Sequence, residues 1–265
     1  MKRFVIICTV LVFPFLVMGQ VKKFEYTPKV KNKVEITNLM GEISLQNSPG
    51  NTLVIESDFN TERPDRAEGL KLLGSMEDNT DIGLNVSEEN GVVSIEGATK
   101  KVRDYTYKIL VPAGMAVSLD YASPFANGDI IVDSFNGSLE IKTLNASVKI
   151  TKSSGPFTVS SISGNVEVVF DKINQSEPTS LASLSGYIDV TLPASEKANL
   201  EISTMNGNVY NNLDLKNTSA AKDKGDRASG LHPVRQQGEN NFTLNGGGQK
   251  MYIKGISGDI YLRKR

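Results

Sequence analysis

Tryptophan is absent from this 265-residue sequence, and cysteine and histidine occur once each. Each scarcity excludes a class of chemistry. Cys8 lies inside the apolar run Phe4 to Met18. Removal of that run leaves no thiol, hence no disulfide, no cysteine-based metal site and no cysteine nucleophile. Cys8 is also misplaced for lipidation, which needs its cysteine as the first residue after such a run. His232 sits beside Pro233 in a polar stretch, whereas a Ser-His-Asp triad or a multi-histidine metal site needs histidine on structured elements. Neither charge sign prevails: 29 Lys and Arg face 30 Asp and Glu, a balance that leaves no electrostatic footprint for nucleic acid. The short basic groups Lys100 to Arg103 and Arg263 to Arg265 read as a solvated loop and a solvated end. Long apolar helical patterns are scarce too, which points to small, repetitive strands.

What is present begins with MKRFVIICTVLVFPFLVMGQ. Lys2 and Arg3, the apolar run, and the small residues near Gly19 follow the layout of a secretory signal peptide. The run is shorter than the ~20 residues a spanning helix needs. Residues 1–19 are therefore expected to be cleaved, with Gln20 as the new N-terminus. The protein is expected to be exported to the cell surface, the extracellular space or the periplasm, and not to be integral to a membrane after cleavage. The remainder suits one large all-β domain held by its core alone.

Between Asn136 and Phe170 runs NGSLEIKTLNASVKITKSSGPFTVSSISGNVEVVF. Gly137, Ala146, Gly155 and Gly164 fall at equal nine-residue intervals, and Gly128 continues the beat upstream. Two residues after each come Ile130, Leu139, Val148, Phe157 and Val166; four after come Val132, Ile141, Ile150, Val159 and Val168. Polar residues fill most of the places between. Period-two alternation marks a strand with one buried face. The same phrase recurs after Gly41, Gly91, Gly186 and Gly258, and in part after Gly207. Two residues before the beat, Phe135, Leu144 and Ile162 add a further apolar position.

An odd repeat is informative. An unbroken strand would swap its faces every nine residues, yet the apolar phase is restored each time. A corner or bulge at the small residue resets it, and glycine suits such a corner by tolerating φ > 0 and close backbone approach. Strand and corner repeated in one rotational sense give a β-solenoid of nine-residue half-coils, each coil advancing by about 4.8 Å. The alternative is an antiparallel β-sandwich, favoured by the hairpin dipeptides Asn90-Gly91, Asn127-Gly128, Asn136-Gly137 and Asn206-Gly207. Leu144-Asn145-Ala146 and Ile162-Ser163-Gly164 fill the same slot without hairpin chemistry, which favours the solenoid.

YTYKILVPAGMAVSL (residues 105–119), with Val111-Pro112 closing a strand, precedes NGDIIV (residues 127–132) and the glycine-marked strands. In this order of elements the chain resembles, over residues 33 to 262, a family of exported bacterial proteins classed as putative adhesins, whose domain has no assigned biochemical function. The resemblance implies a right-handed, parallel β-helix-like solenoid at a bacterial cell envelope, and it carries no active-site residues.

The expected organisation is a signal peptide at 1–19, a less regular β section or cap at 20–120, and β-solenoid repeats at 121–265. Two polar segments interrupt the repeat. Residues 57 to 80 leave room for a short helix between Pro64 and Leu73. Residues 214–241, rich in Gly, Ser and Lys, read as a long flexible loop between coils.

No catalytic, cofactor-binding or metal-binding residues stand out. Ser153, Ser154, Ser160 and Ser161 fall at corners and outward slots. Glu77 to Asp81 gathers oxygens but lacks the EF-hand spacing. Glycosidic chemistry needs two carboxylates on one face, and outward Asp129, Asp133, Glu140, Glu167 and Asp189 offer such a pair by chance alone. With 18-residue coils, Asp129, Ser147 and Asn165 stack in one row and Ile131, Lys149 and Glu167 in the next, so no repeated carboxylate, basic or aromatic ladder emerges. Tyr187, Tyr210 and Tyr261 point outward, where they could stack on sugar rings or stand as ordinary lone surface tyrosines.

The expectation is a non-enzymatic envelope protein without cofactors, an adhesin or surface scaffold presenting a rigid solenoid to an unknown protein or glycan partner. A periplasmic structural or signalling component and a carbohydrate-active lyase or glycosidase are the alternatives. The strand after Gly258 is expected to leave an exposed terminal edge through which copies of the chain could pair.

Overall fold

The computed structural model of the protein describes residues 21–60, 66, 70, 76–126, 128–218 and 240–265. The expected signal peptide, His232, and all of Pro64 to Leu73 except Arg66 and Leu70 lie outside them.

The first strands are β1 (Lys22–Tyr26), β2 (Lys33–Thr37), β3 (Ile43–Ser48), β4 (Leu53–Ser57) and β5 (Leu84–Glu89). Next come β6 (Val92–Gly97), β7 (Tyr107–Pro112), β8 (Ala116–Tyr121), β9 (Ile130–Asp133) and β10 (Leu139–Thr143). The regular repeat continues through β11 (Val148–Ser153), β12 (Phe157–Ser161), β13 (Val166–Phe170), β14 (Thr179–Ser183) and β15 (Ile188–Leu192). Then follow β16 (Ala198–Ser203), β17 (Val209–Asn211), β18 (Leu215–Asn217), β19 (Asn240–Leu244), β20 (Gln249–Gly255) and β21 (Ile260–Lys264).

From β8 to β15 the strands alternate between two sheets, each pairing in parallel with the strand two places on. This is the β-solenoid that the nine-residue beat predicts: two half-coils return the chain to the same sheet. Stacked partners such as Asp133 and Thr151 lie 18 residues apart, rising to 22 between Phe157 and Thr179, where residues 171–178 lengthen a corner. The registers stack Ile130, Val148, Val166, Ile188 and Ile260 in sheet I. Leu119, Ile141, Val159, Leu181 and Ile253 stack in sheet II. All are buried, and each such aliphatic side chain contributes about 1.5–3 kcal/mol relative to an exposed one.

Parallel ladders decide against the sandwich. Among the described residues, antiparallel pairs occur only toward the ends of the sheets: β1 with β4 and β4 with β7 in sheet I, β5 with β6 and β16–β19–β18 in sheet II. Of the hairpin dipeptides, Asn90-Gly91 does turn the β5–β6 hairpin, both residues taking positive φ (53° and 78°). Asn136-Gly137 and Asn206-Gly207 lie in solenoid corners instead, and Asn127 falls outside the described residues.

The two corners of each coil solve the parity problem differently. Where sheet II passes to sheet I, at every glycine corner of the later coils the backbone stacks so closely that a Cβ cannot fit, whereas Ala146 fills the corner between β10 and β11. An ideal Cβ on Gly164 would stand 1.9 Å from the Ala146 carbonyl oxygen, on Gly186 2.2 Å from that of Gly164, on Gly258 2.1 Å from that of Gly186, and on Gly207 2.0 Å from that of Gly258. None of these four has positive φ; close approach alone selects glycine. A hydroxyl three residues earlier secures three of these turns, while Gly255 stands in that place before Gly258. Ser161 Oγ accepts from the Gly164 amide (2.9 Å) and donates to the Gly164 carbonyl (2.9 Å). Ser183 accepts from the Gly186 amide at 2.9 Å, and Thr204 from that of Gly207 at 3.2 Å. Of the four serines placed at corners and outward slots, Ser153, Ser154 and Ser161 are buried at corners and Ser160 faces out. At the opposite corner Ser134 and Lys152 take positive φ (54° and 48°), and the β11–β13 register slips between Thr151 and Ser153. One residue is thereby absorbed and the inward face restored.

Neighbours in space are not always neighbours in sequence. β2 lies between β6 and β8 while β3 lies between β7 and β9, so the coil β2–β3 sits inside the coil β6–β7. Likewise β20 lies between β14 and β16, and β21 between β15 and β17. The strand after Gly258 is therefore paired on both sides and leaves no edge; the edge of sheet I at that end is β17. Within the expected loop 214–241, Leu215–Asn217 is the strand β18, paired with β19. Residues 219–239 lie outside the described set.

Candidate interaction surface

The outer face of sheet I near β17 gathers the three tyrosines that the sequence presents as isolated. Register sets Tyr210 directly opposite Tyr261, and their rings stack with centroids 5.3 Å apart and planes within 11°. Tyr187, diagonal to Tyr261, meets it edge-on at 6.1 Å and 82°. Such aromatic pairs add about 0.5–1.5 kcal/mol beyond their buried area. The Arg263 guanidinium lies 5.4 Å from the Tyr261 ring centroid and donates through Nε to both Asp189 carboxylate oxygens at 2.9 Å. The Tyr187 hydroxyl donates to Glu167 Oε1 at 2.5 Å. That carboxylate, aided by burial, pushes the Tyr187 hydroxyl up to about 12, because ionisation would set two negative charges together.

Tyr210 and Tyr261 both stand three places after a corner glycine, Gly207 and Gly258. That phase is visible in the sequence. Their adjacency is not, because it depends on the inserted coil β20–β21. Asn211 occupies a ladder position held by Leu262 in the next coil, which is why the phrase after Gly207 looks broken. It is an end strand, where burial no longer demands an apolar residue.

Of the outward carboxylates, Glu167 and Asp189 stand side by side in register, each bonded to its own partner, and the others are engaged separately. Asp129 accepts from the Ser147 amide at 3.2 Å. Asp133 accepts from the Thr151 hydroxyl at 2.7 Å and that of Ser134 at 3.0 Å, bonds that hold its carboxyl below the usual range. Glu140 faces out from sheet II and pairs with Lys142 at 2.7 Å. The expected rows are present: Lys149 stands between Ile131 and Glu167. In the segment Glu77 to Asp81, Asp78 accepts from the amides of Thr80 and Gly83, closing a turn with its own backbone. Among the described residues, no group of three or more His, Cys, Asp and Glu side chains is placed to hold a metal ion.

A second surface feature follows the tight corner. Leu144, Ile162, Leu184 and Ile256 stack one above another, tied by bonds from Ser163, Ser185 and Ser257 amides to the carbonyls of the residues before them in the row. Ile162 and Leu184 are 44% and 41% exposed. The apolar position preceding the beat is therefore two positions: Phe135, at the other corner, is wholly buried.

Among the described residues no helix is long and apolar enough to cross a membrane. No curated protein matches the chain. Crystal structures similar to it include the following two. A putative cell adhesion protein from Clostridium sporogenes shares 12% identity over 93% of this chain and 99% of its own, with a TM-score of 0.47. A putative adhesin from Bacteroides fragilis shares 11% over 94% of this chain and 98% of its own, with a TM-score of 0.32. Over residues 26–245, most of the sequence, the chain matches, and belongs to, the Toastrack DUF4097 family, a domain of unknown function.

Proposed function

We propose that the protein is a non-enzymatic cell-envelope protein of adhesin or surface-scaffold type, which presents the outer face of sheet I to a protein or glycan. The observation that carries this reading is the row Tyr187–Tyr261–Tyr210, fixed on ordered strands and flanked by the Asp189–Arg263 pair. Tyrosine offers a large amphipathic surface at little conformational cost, and a backbone ordered before binding lowers that cost further. The neighbouring carboxylates Glu167 and Asp189 already hold hydrogen bonds to Tyr187 and Arg263, which suits a contact surface better than proton transfer. The apolar segment 1–19 supports export.

Location is tested by trypsin treatment of intact cells with mass-spectrometric identification of the released peptides. Lys222, Lys224, Arg227 and Arg235 supply cleavage sites in the segment 219–239. Release from intact cells is expected for a surface protein. Protection until the envelope is opened would sink the adhesin reading and leave a periplasmic structural role. Contact is tested by probing immobilised glycans and envelope proteins with the mature protein and with Tyr261→Ala, whose binding is expected to fall.

A further inference from the structure

The two sheets have four edges, and one differs from the rest. Beyond the coil β6–β7, sheet I continues with the antiparallel strands β4 and β1, and sheet II with β5; beyond the coil β16–β17, sheet II continues with β19 and β18. Among the described residues, sheet I adds nothing after β17. The three antiparallel edges carry charge: Lys22, Lys23 and Glu25 on β1, Glu88 and Glu89 on β5, Lys216 on β18. Charge on an edge discourages further pairing. β17 reads Val-Tyr-Asn, without charge, and all three residues are exposed.

Its backbone is half used. The Asn208 carbonyl accepts from the Ile260 amide at 2.8 Å and the Asn212 amide donates to the Leu262 carbonyl at 3.1 Å. Residues 208, 210 and 212 thus face β21, and the N–H and C=O groups of Val209 and Asn211 point away from it. Val209 also holds the inward ladder position next to Ile260, yet is 42% exposed. The continuation of sheet II creates a step. Its riser is the β17 edge, and its tread, about two strand spacings or ~10 Å deep, is the inner face of β19 and β18. Half-buried Phe242 and Leu215 lie on that face.

We propose that this step accepts one extended polypeptide segment from a partner protein, added as the missing next strand of sheet I. The segment would exchange backbone hydrogen bonds with Val209 and Asn211. It would lay aliphatic side chains at alternate positions onto Val209, Phe242 and Leu215, and set an uncharged residue beside the 51%-exposed Tyr210. A second folded copy fits poorly, because the extension of sheet II would meet its counterpart before the two β17 edges came within bonding distance. The chain's own segment 219–239, with Lys222, Asp223, Lys224, Asp226 and Arg227 in its first half, lacks the aliphatic alternation the step requires.

The test uses the mature full-length protein and a fluorescein-labelled peptide with the sequence of Ser257 to Arg263, which copies β17's existing neighbour. Saturable binding by fluorescence anisotropy is expected. Val209→Pro deletes an edge donor but leaves the bonds to β21 intact, and Val209→Lys places a charge on the step. Each should weaken binding by about tenfold or more, with circular dichroism confirming the fold of both. Absence of saturable binding, or binding unchanged in both variants, overturns the proposal. So does binding that emerges only after 219–239 is replaced by a short Gly-Ser linker, since the chain's own segment would then fill the step. None of these outcomes depends on where the protein resides.

Discussion

The carbonyl oxygen of Ala146 occupies the space that a side chain on Gly164 would need, 1.9 Å from the ideal Cβ position. Both groups are backbone, so neither can swing aside as a flexible side chain would. Gly164→Ala is expected to destabilise the protein by roughly 2–4 kcal/mol, in the range of severe overpacking. Gly50→Ala is the control. Nothing lies within 4 Å of a Cβ there, and it should be neutral or slightly stabilising. Thermal melts of the two variants decide the matter; equal melting temperatures would refute the stacked-corner account.

Ser161 links strand to corner through its hydroxyl, which both accepts from and donates to Gly164 in a buried setting. Ser161→Ala leaves both backbone groups without that partner and should cost about 1–3 kcal/mol. Ser160→Ala, one residue away on the exposed face, should change little. Urea denaturation of the pair would show it, and a larger effect at Ser160 would reverse the assignment of inward and outward faces.

Removal of residues 249–265 takes out β20 and β21 from between the coils β14–β15 and β16–β17. The buried side chains of Leu181, Ile188 and Val190 lose their neighbours Ile253, Ile260 and Leu262. The shortened protein is expected to lose its cooperative melt and to aggregate. A sharp transition within a few degrees of the full-length protein would show that the remaining coils can close the gap.

Two tyrosines, Tyr121 and Tyr187, titrate late. Tyr121 is pushed up to about 12 by burial, and Tyr187 to about 12 chiefly by its hydrogen bond to Glu167. An unfolded tyrosine ionises near pH ~10. Folded values above that mean that the neutral hydroxyls contribute stability fully present below about pH 10, and lost as pH climbs toward the folded values. Glu167→Gln should bring the Tyr187 transition down toward the ordinary value while leaving that of Tyr121 in place. Tyrosinate absorbance against pH reads both; a Tyr187 transition unmoved by the substitution would dissociate it from Glu167.

The parts of this fold that repeat are legible in the sequence. Alternation in phrases such as Gly164-Asn-Val-Glu-Val168 records which side chains face inward, and the small residue records the corner. The beat nevertheless merges two unlike corners. Gly164 is required by backbone contact, whereas at Gly137 a Cβ would meet its nearest neighbour, the Met115 carbonyl, at 3.1 Å. At that second type of corner the left-handed residues are Ser134, Lys152 and Gly155, and of these only the glycine is marked by composition. Coil order is illegible for a deeper reason. Because every coil presents the same ladder of Ile, Leu and Val to its neighbours, local pattern cannot say whether Ile260 will stack on Ile188 or on Val209. It stacks on both. The tyrosine row inherits that ambiguity, since Tyr261 reaches Tyr187 and Tyr210 only through the inserted coil.

The interleaving of coils has a mechanical meaning. In a simple stack each terminal coil rests on one neighbour and can be unzipped bond by bond. Here β2 and β21 each lie between two parallel partners. Tension applied along either strand must shear both flanking ladders together, spreading the load over many hydrogen bonds rather than concentrating it on one. Those two strands are held as a bolt is held between two plates, and coils so fastened resist being peeled away one at a time.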